Sequence, residues 1–207
     1  MRIGLACEVS TPPAEVLDLL GAAGLPVSML RGETAPALFH PNGVTWFLGS
    51  AADVLSGCDR GALDAGVVGS DRLFEGRLGV VDLLDLRRCR DDLVLAVMPS
   101  AVHADRRLRV ATRHPRAAAR HFGATGEQPE ILVVDEPLLA SSLGMADGVV
   151  ELGARRRSDV RGAPLLEPRA VVASCSAHLV ASRSARVLRR HAFAGLVGRL
   201  RVAREEA

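Results

Sequence analysis

Residues 61–77 read GALDAGVVGSDRLFEGR, and this stretch carries the strongest signal for the fold. The run at residues 65–68 is short, small and apolar, which is typical of a buried strand. Gly69, Ser70 and Asp71 then form a tight turn into a helical segment, where small residues let a ligand approach the backbone. Two interpretations stay open: an anion-binding turn at a helix N-terminus, or a strand–helix turn in which Asp71 only caps the helix.

The alternation of strand and helix continues on both sides of that stretch. The sequence predicts further strands at residues 1–7, 44–48, 93–98, 108–111, 131–134 and 148–151, and a long apolar segment at residues 170–180. It predicts helices at residues 14–23, 51–59, 115–122, 137–143 and 184–202, with Ser50 as the N-cap of the second. Repeated strand–helix–strand units predict an α/β protein with parallel sheets covered by helices.

Two groups of these elements, joined near residues 88–93 and again near residues 175–182, predict two α/β lobes. We expect lobe I to comprise residues 1–92 plus 178–207, and lobe II to comprise residues 93–177. The last helix is expected to complete lobe I through an apolar face formed by Val187, Leu188, Phe193, Leu196, Val197 and Leu200. Ligands of open parallel sheets bind at the carboxyl ends of the strands, so we expect the site there.

The composition of the 207-residue chain excludes several kinds of chemistry. All 26 basic residues are arginines, which excludes a Schiff-base lysine and a phosphate-loop lysine and leaves arginines or backbone N–H groups to hold any phosphate. A net charge of +2 gives little support for binding to nucleic acid. The four cysteines show neither metal-ligand spacing nor a disulfide pattern. With no membrane-length apolar run and no signal-peptide segment, a cytoplasmic protein is expected.

Two motifs resemble a known enzyme family. Residues 61–71 and the segment LRVATRHP at residues 108–115 are similar to the glycine-rich and "Arg-Val-Ala-Thr-Lys-Tyr-Pro" segments of short-form ATP phosphoribosyltransferase. The resemblance implies two lobes of the type II periplasmic-binding-protein kind, with ligands in the cleft. It implies the first step of histidine biosynthesis, in which the adenine N1 of ATP displaces pyrophosphate from phosphoribosyl pyrophosphate, with Mg²⁺ on the pyrophosphate. It also implies a homo-oligomer and a histidyl-tRNA-synthetase-like regulatory subunit as partner.

The same resemblance implies the residues of the site. Asp147 and Glu151 match acidic positions that would lie near the ribose, and they are the catalytic candidates. The family's phosphate loop, "Glu-Thr-Gly-Thr-Thr-Leu", is replaced here by Gly153, Ala154, Arg155, Arg156, Arg157 and Ser158. The arginines of this loop either hold a phosphate through charge-assisted hydrogen bonds or form a solvated surface.

The turn at residues 69–71 would approach the nucleotide, and Thr112 and Arg113 would face the cleft from a strand end. His114 stands where the family usually has tyrosine; we expect an exposed side chain and assign it no role. Glu8 reverses the charge of the family's basic N-terminal motif, and Leu138 replaces a family glutamate.

Three functional hypotheses follow from these matches and departures. The first is an ATP phosphoribosyltransferase in which the arginine loop replaces the hydroxyl loop. The second is a divergent enzyme that acts on another acceptor or another small molecule. The third is a non-catalytic binding or regulatory relative.

Overall fold

The computed structural model describes residues 1–7, 11–76, 79–99, 107–153 and 165–206. The chain forms two compact units, Met1–Arg90 with Ser176–Ala207, and Asp91–Cys175, which we call lobe I and lobe II. The predictions for Glu8 and for residues 154–158 fall outside the described residues.

Lobe I is built on a mixed six-stranded sheet. Its strands are β1 (Arg2–Ala6), β2 (Ala37–Phe39), β3 (Thr45–Gly49), β4 (Ala65–Gly69), β5 (Val80–Asp85) and β11 (Ala177–Ser182). Their order is β2-β3-β1-β4-β11-β5, in which β1 pairs in parallel with β3 and β4, while β2 and β11 run antiparallel to their neighbours. The helices are α1 (Ala14–Ala22), α2 (Ala51–Asp59), α3 (Ser70–Glu75), α6 (Arg183–Leu188) and α7 (Arg190–Glu206), with 3₁₀ turns at Ser28–Leu30 and Pro41–Gly43.

Lobe II is built on a second mixed sheet of five strands. These are β6 (Asp91–Val97), β7 (Arg109–Thr112), β8 (Glu130–Val133), β9 (Gly148–Leu152) and β10 (Glu167–Cys175), in the order β10-β6-β9-β7-β8. Strand β7 pairs in parallel with β8 and β9, whereas β6 runs antiparallel to β9 and β10. The helices are α4 (Pro115–Thr125) and α5 (Pro137–Ser142). The carboxyl ends of β7, β8 and β9 therefore meet at one edge of the sheet.

The expectation of parallel sheets holds for only part of each sheet: β1 pairs in parallel with β3 and β4, and β7 with β8 and β9, whereas β2, β5, β6, β10 and β11 pair antiparallel. The sequence pattern missed β2 and β5 and treated residues 170–180 as one segment. That segment is two strands in different lobes, β10 and β11, separated by Ser176. The local elements are predicted well. Ser50 caps α2 as predicted, its hydroxyl oxygen accepting a 3.1 Å hydrogen bond from the backbone N–H of Asp53.

The predicted C-terminal helix is interrupted. Arg189, with φ −118° and ψ 28°, separates α6 from α7, and Ser182 caps α6 by accepting a 3.1 Å hydrogen bond from the N–H of Ala185. Val187 and Leu188 were expected on the buried face but are 74% and 83% exposed, because the break takes them off the α7 stripe. Within α7, the predicted Phe193, Leu196 and Leu200 are buried in the core that α7 shares with α1.

Helix α2 approaches the sheet of lobe I closely because glycines lie beneath it. A methyl group on Gly66 would lie 2.5 Å from Cγ1 of Val54 and 3.2 Å from Sγ of Cys58. A methyl group on Gly4 would lie 2.8 Å from Cγ1 of Val54. Burial, together with the charge of Asp64, raises the pKa of the Cys58 thiol to about 12.

Replacing Gly66 by alanine is expected to lower the free energy of unfolding by about 1–3 kcal/mol, because an added methyl group overpacks a well-filled core. Urea denaturation of the purified protein measures the change. The matched control is Gly198→Ala in α7, where an added methyl group meets nothing within 4 Å. That change should stabilise by about 0.5–1 kcal/mol through helix propensity. Equal midpoints for Gly66→Ala and the wild type would show that α2 does not sit tightly on this glycine.

No helix in the described parts of the chain is long and apolar enough to cross a membrane.

Candidate functional site

A buried carboxylate lies at the carboxyl end of the parallel strands of lobe II. Glu151, the second-last residue of β9, is 2% exposed. Its Oε1 accepts a 2.9 Å hydrogen bond from the backbone N–H of Leu152 and lies 3.8 Å from Nε2 of His114. Its Oε2 lies 3.2 Å from Nε of Arg113. Three groups thus surround the carboxylate on its two oxygens.

Glu151 is held in its charged form. Burial works to raise the pKa of its carboxyl, but the interactions with the His114 ring, the Leu152 N–H and the Arg113 guanidinium outweigh burial and lower the pKa below its ordinary value. The carboxylate is therefore ionised at neutral pH, and it lies buried and paired with the Arg113 guanidinium at the end of the sheet.

Arg113 follows the last residue of β7 and links this carboxylate to the start of α5. Its guanidinium donates to the backbone carbonyl of Asp135 and lies 3.7 Å from Oε1 of Glu136. Since its side chain is only 12% exposed, Arg113 is fixed between β9 and α5. Leu138, the site of the missing family glutamate, is buried in the apolar core of lobe II.

His114 corrects the expectation of an exposed side chain, because it is completely buried. The hydroxyl oxygen of Thr112 accepts a 2.9 Å hydrogen bond from the N–H of His114, and Pro115 starts α4 immediately afterwards. The chain therefore turns sharply at the strand end, and the ring lies inside the lobe. Thr112 is also completely buried, and its hydroxyl donates a 2.7 Å hydrogen bond to the carbonyl of Val150. Its predicted contact with substrate stays a prediction.

The structure does not bring Asp147 together with Glu151. Asp147 directly precedes β9, so the two α-carbons are separated by four residues of strand, about 13 Å at roughly 3.3 Å per residue. The Asp147 carboxylate accepts hydrogen bonds from the backbone N–H (3.0 Å), Nε (3.2 Å) and Nη2 (2.9 Å) of Arg109. Asp147 thus ties the starts of β7 and β9 together, at the edge opposite Glu151.

The predicted turn of lobe I lies at the carboxyl end of β4, as the sequence indicates. Gly69 is the N-cap of α3, and a methyl group on it would lie 2.2 Å from Oδ1 of Asp71. Ser70 is buried; its N–H donates to the carbonyl of Ser176 (2.9 Å), and its hydroxyl oxygen accepts from the N–H of Ser176 (3.1 Å). Asp71 is buried, with Nε of Arg72 3.6 Å from its carboxylate.

A polar network that the sequence did not predict continues from this turn. The Ser176 hydroxyl donates a 2.7 Å hydrogen bond to Oδ1 of Asp85, and His178 lies between two carboxylates, with Nδ1 3.0 Å from Asp82 and Nε2 3.8 Å from Asp85. Partial burial works to raise the pKa of Asp85, but hydrogen bonds from Ser176 and the Arg87 N–H and the charges of His178 and Arg204 lower it. The sequence did not indicate this network because it did not predict β5, the strand that carries Asp82 and Asp85.

Comparison with solved structures defines the class of fold. The chain is similar to a chain of the ATP phosphoribosyltransferase (HisG:HisZ) complex from Thermotoga maritima, with a TM-score of 0.76 and 18% identity over 100% of both chains. It is also similar to the periplasmic sulfonate-binding protein SsuA from Methylobacillus flagellatus, with a TM-score of 0.61 and 14% identity over 98% of this chain and 67% of that one. The protein is therefore a two-lobed α/β protein of the type II periplasmic-binding-protein architecture, as predicted.

Sequence comparison then identifies the family. The family model for ATP phosphoribosyltransferase matches residues 50–202. The ATP phosphoribosyltransferase of Rubrobacter xylanophilus is 32% identical over 196 residues, which cover 88% of each chain. That of Deinococcus radiodurans is 35% identical over 201 residues, covering 93% of this chain and 88% of the relative. The chain belongs to the ATP phosphoribosyltransferase family, the transferases of the first step of histidine biosynthesis. This result supports the activity stated in the first of the three hypotheses and does not favour the other two, while the role of the arginine loop stays a prediction.

Proposed function

We propose that this chain condenses ATP with phosphoribosyl pyrophosphate, and that Glu151 acts beside the ribose. The observation that carries the proposal is the Glu151 carboxylate, buried and ionised at the carboxyl end of the lobe II sheet. This is the edge at which open α/β sheets bind ligands. Asp147, at the opposite end of β9, is proposed to stabilise lobe II instead of taking part in the reaction.

The proposed reaction is a substitution at C1′, the anomeric carbon of the ribose in phosphoribosyl pyrophosphate. The lone pair of adenine N1 forms the N1–C1′ bond, and the C1′–oxygen bond breaks with its electron pair remaining on pyrophosphate. Adenine gains the positive charge that balances the negative charge carried away by the leaving group. Positive charge develops at the ribosyl carbon on the way, and a fixed carboxylate stabilises it without reorganisation.

We propose the loop after β9 as the phosphate site of lobe II. Gly153 is buried directly after the strand, and Ala154, Arg155, Arg156, Arg157 and Ser158 follow it in sequence. Arg113 lies at the same edge, paired with the Glu151 carboxylate, and is proposed to face the substrate phosphates from there. In lobe I, the turn of Gly69, Ser70 and Asp71 is proposed to approach the nucleotide.

Replacing Arg155, Arg156 and Arg157 together by alanine is expected to weaken phosphoribosyl pyrophosphate binding about a hundredfold or more. The reason is the loss of two charge-assisted hydrogen bonds, each contributing about 1.5–3 kcal/mol. Calorimetric titration at two salt concentrations measures the effect. The control replaces the exposed Arg183, Arg186 and Arg190 of lobe I by alanine, which removes the same charge away from the loop. Equal affinities for the wild type and the loop variant would refute the phosphate assignment.

Mg²⁺ is proposed to arrive with the pyrophosphate group of the substrate. Among the described residues there is no group of three or more His, Cys, Asp or Glu side chains that could hold a metal ion. Mg²⁺ is commonly bound by substrate phosphates and water with only one or two carboxylates, so a dedicated protein cage is not needed. We therefore treat the ion as part of the substrate.

We further infer a homo-oligomer, at least a dimer, that works with a histidyl-tRNA-synthetase-like regulatory subunit in the cytoplasm. The solved relative from Thermotoga maritima is a HisG:HisZ complex, which supports a partner of that kind. The four cysteines are free thiols, which suits a reducing compartment.

The direct test follows product formation by the ultraviolet absorbance change of the N1-substituted adenine and, separately, pyrophosphate release. Both should depend on ATP, phosphoribosyl pyrophosphate and Mg²⁺. Thermal unfolding with each substrate alone reports binding without turnover. Stabilisation by neither substrate, with and without the regulatory subunit, would overturn the proposed function.

A further inference from the structure

We propose that His114 is a positioning residue that holds the Glu151 carboxylate in its working orientation. This inference rests on the proposed function, because it concerns the residue proposed to act beside the ribose. It assigns a role to a side chain for which the sequence suggested none.

The backbone at His114 is fixed, and burial confines the ring that it carries. Its N–H donates to the Thr112 hydroxyl oxygen, and Pro115 locks the first turn of α4, whose Ala117 and Ala118 are buried. The ring is 0% exposed, so it has no room to move toward solvent. A ring held in this way stays at a constant distance from Glu151 at the end of β9.

The ring also occupies the side of Glu151 that Arg113 does not reach. Arg113 approaches Oε2 at 3.2 Å, whereas Nε2 of His114 lies 3.8 Å from Oε1, the oxygen that also accepts from the Leu152 N–H. With both oxygens flanked, rotation of the carboxylate about its terminal torsion is restricted. Without the imidazole, the contact that Oε1 keeps among the described residues is the bond from the Leu152 N–H, and the carboxylate can turn toward Arg113.

The test compares His114→Phe, which keeps a flat ring without polar atoms, with His114→Gln, which keeps a nitrogen donor near the position of Nε2. We expect His114→Phe to lower kcat about ten- to a hundredfold with little change in KM, because a small misplacement of a reacting group has an effect of this size. His114→Gln should restore most of the loss. A variant that only loosens packing would not be rescued by an amide of different shape.

The pH profile supplies a second readout. Among the described residues, the charged and titratable groups that face Glu151 are Arg113 and His114, with Glu136 beside Arg113 at the start of α5. Because the His114 ring is one of the groups that lower the pKa of Glu151, the acid limb of kcat/KM should move to higher pH in His114→Phe. In His114→Gln it should lie between the two.

A double-mutant cycle in urea denaturation keeps the inference separate from the activity. The cycle compares the wild type, His114→Phe, Glu151→Gln and the double variant. If the two side chains interact, the changes in unfolding free energy of the two single variants at neutral pH should not add up to that of the double variant. An inactive wild type would refute the proposed function, while the cycle would still decide whether His114 holds Glu151. The inference would be overturned by additive changes in unfolding free energy. It would equally be overturned by an active His114→Phe protein with an unchanged kcat and an unchanged acid limb of kcat/KM.

Discussion

Glu151→Gln is expected to lower kcat about a hundred- to a thousandfold, which is the usual effect of removing one preorganised charge or dipole from a transition state. The change preserves the size of the side chain and removes the negative charge that would face the ribosyl carbon. Steady-state rates at saturating ATP and phosphoribosyl pyrophosphate measure the loss. The matched control is Glu130→Gln, an exposed carboxylate on β8 of the same lobe, for which kcat should be unchanged.

The effect of Glu151→Gln on the free energy of unfolding should depend on pH. Because the pKa of Glu151 is lowered in the folded protein, its ionised form contributes stability that is fully present above the ordinary carboxyl range. That contribution is lost as the pH falls through the lowered pKa. The gap in unfolding free energy between the wild type and Glu151→Gln should therefore be largest near neutral pH and should close in acid. A retained kcat together with this stability gap would make Glu151 a structural residue only.

Local signals in the sequence predicted the parts of the fold that neighbouring residues determine. The apolar run before Gly69 gives β4, Ser50 caps α2, and Pro115 starts α4, because each depends on residues within one turn or strand. Strand β5 was missed because its residues VVDLLD show no clean alternation and gain their place only by pairing with β11, nearly a hundred positions later. Sheet direction was missed for the same reason, since it depends on where the chain returns.

The candidate site shows the same division. The resemblance supplied Glu151 and Arg113, and the parallel pairing of β7 with β9 places them side by side. The sequence could not show that His114 is buried, because this depends on how the turn after β7 folds against β9. It also could not separate Asp147 from Glu151, because both are acidic residues of one short segment. Their different partners, Arg109 and Arg113, become visible only once β7 lies beside β9.

Because Asp147 is bound to Arg109 at the other end of β9, we expect its replacement to lower stability and to leave kcat nearly unchanged, in contrast to Glu151→Gln. Asp147→Ala should lower the free energy of unfolding by about 3 kcal/mol, because Asp147 is 2% exposed and receives three hydrogen bonds from Arg109. Its loss leaves the start of β7 and the half-buried guanidinium without their carboxylate. Urea denaturation followed by far-ultraviolet circular dichroism measures the change in unfolding free energy, because this signal reports the helices and strands of both lobes. Below the unfolding transition, kcat should stay within a few fold of the wild type.

The control for this prediction is a second ion pair of lobe II that lies in solvent. Glu127 and Arg169 are 3.1 Å apart, with side chains 39% and 44% exposed. Glu127→Ala should cost less than about 1 kcal/mol, since exposed pairs are screened and lose side-chain entropy when they form. If Asp147→Ala instead behaved like Glu127→Ala in denaturation but lost kcat a hundredfold, the catalytic role implied by the family resemblance would be correct. In that case the opposite end of β9, and not the end that carries Glu151, would be the reacting edge of lobe II.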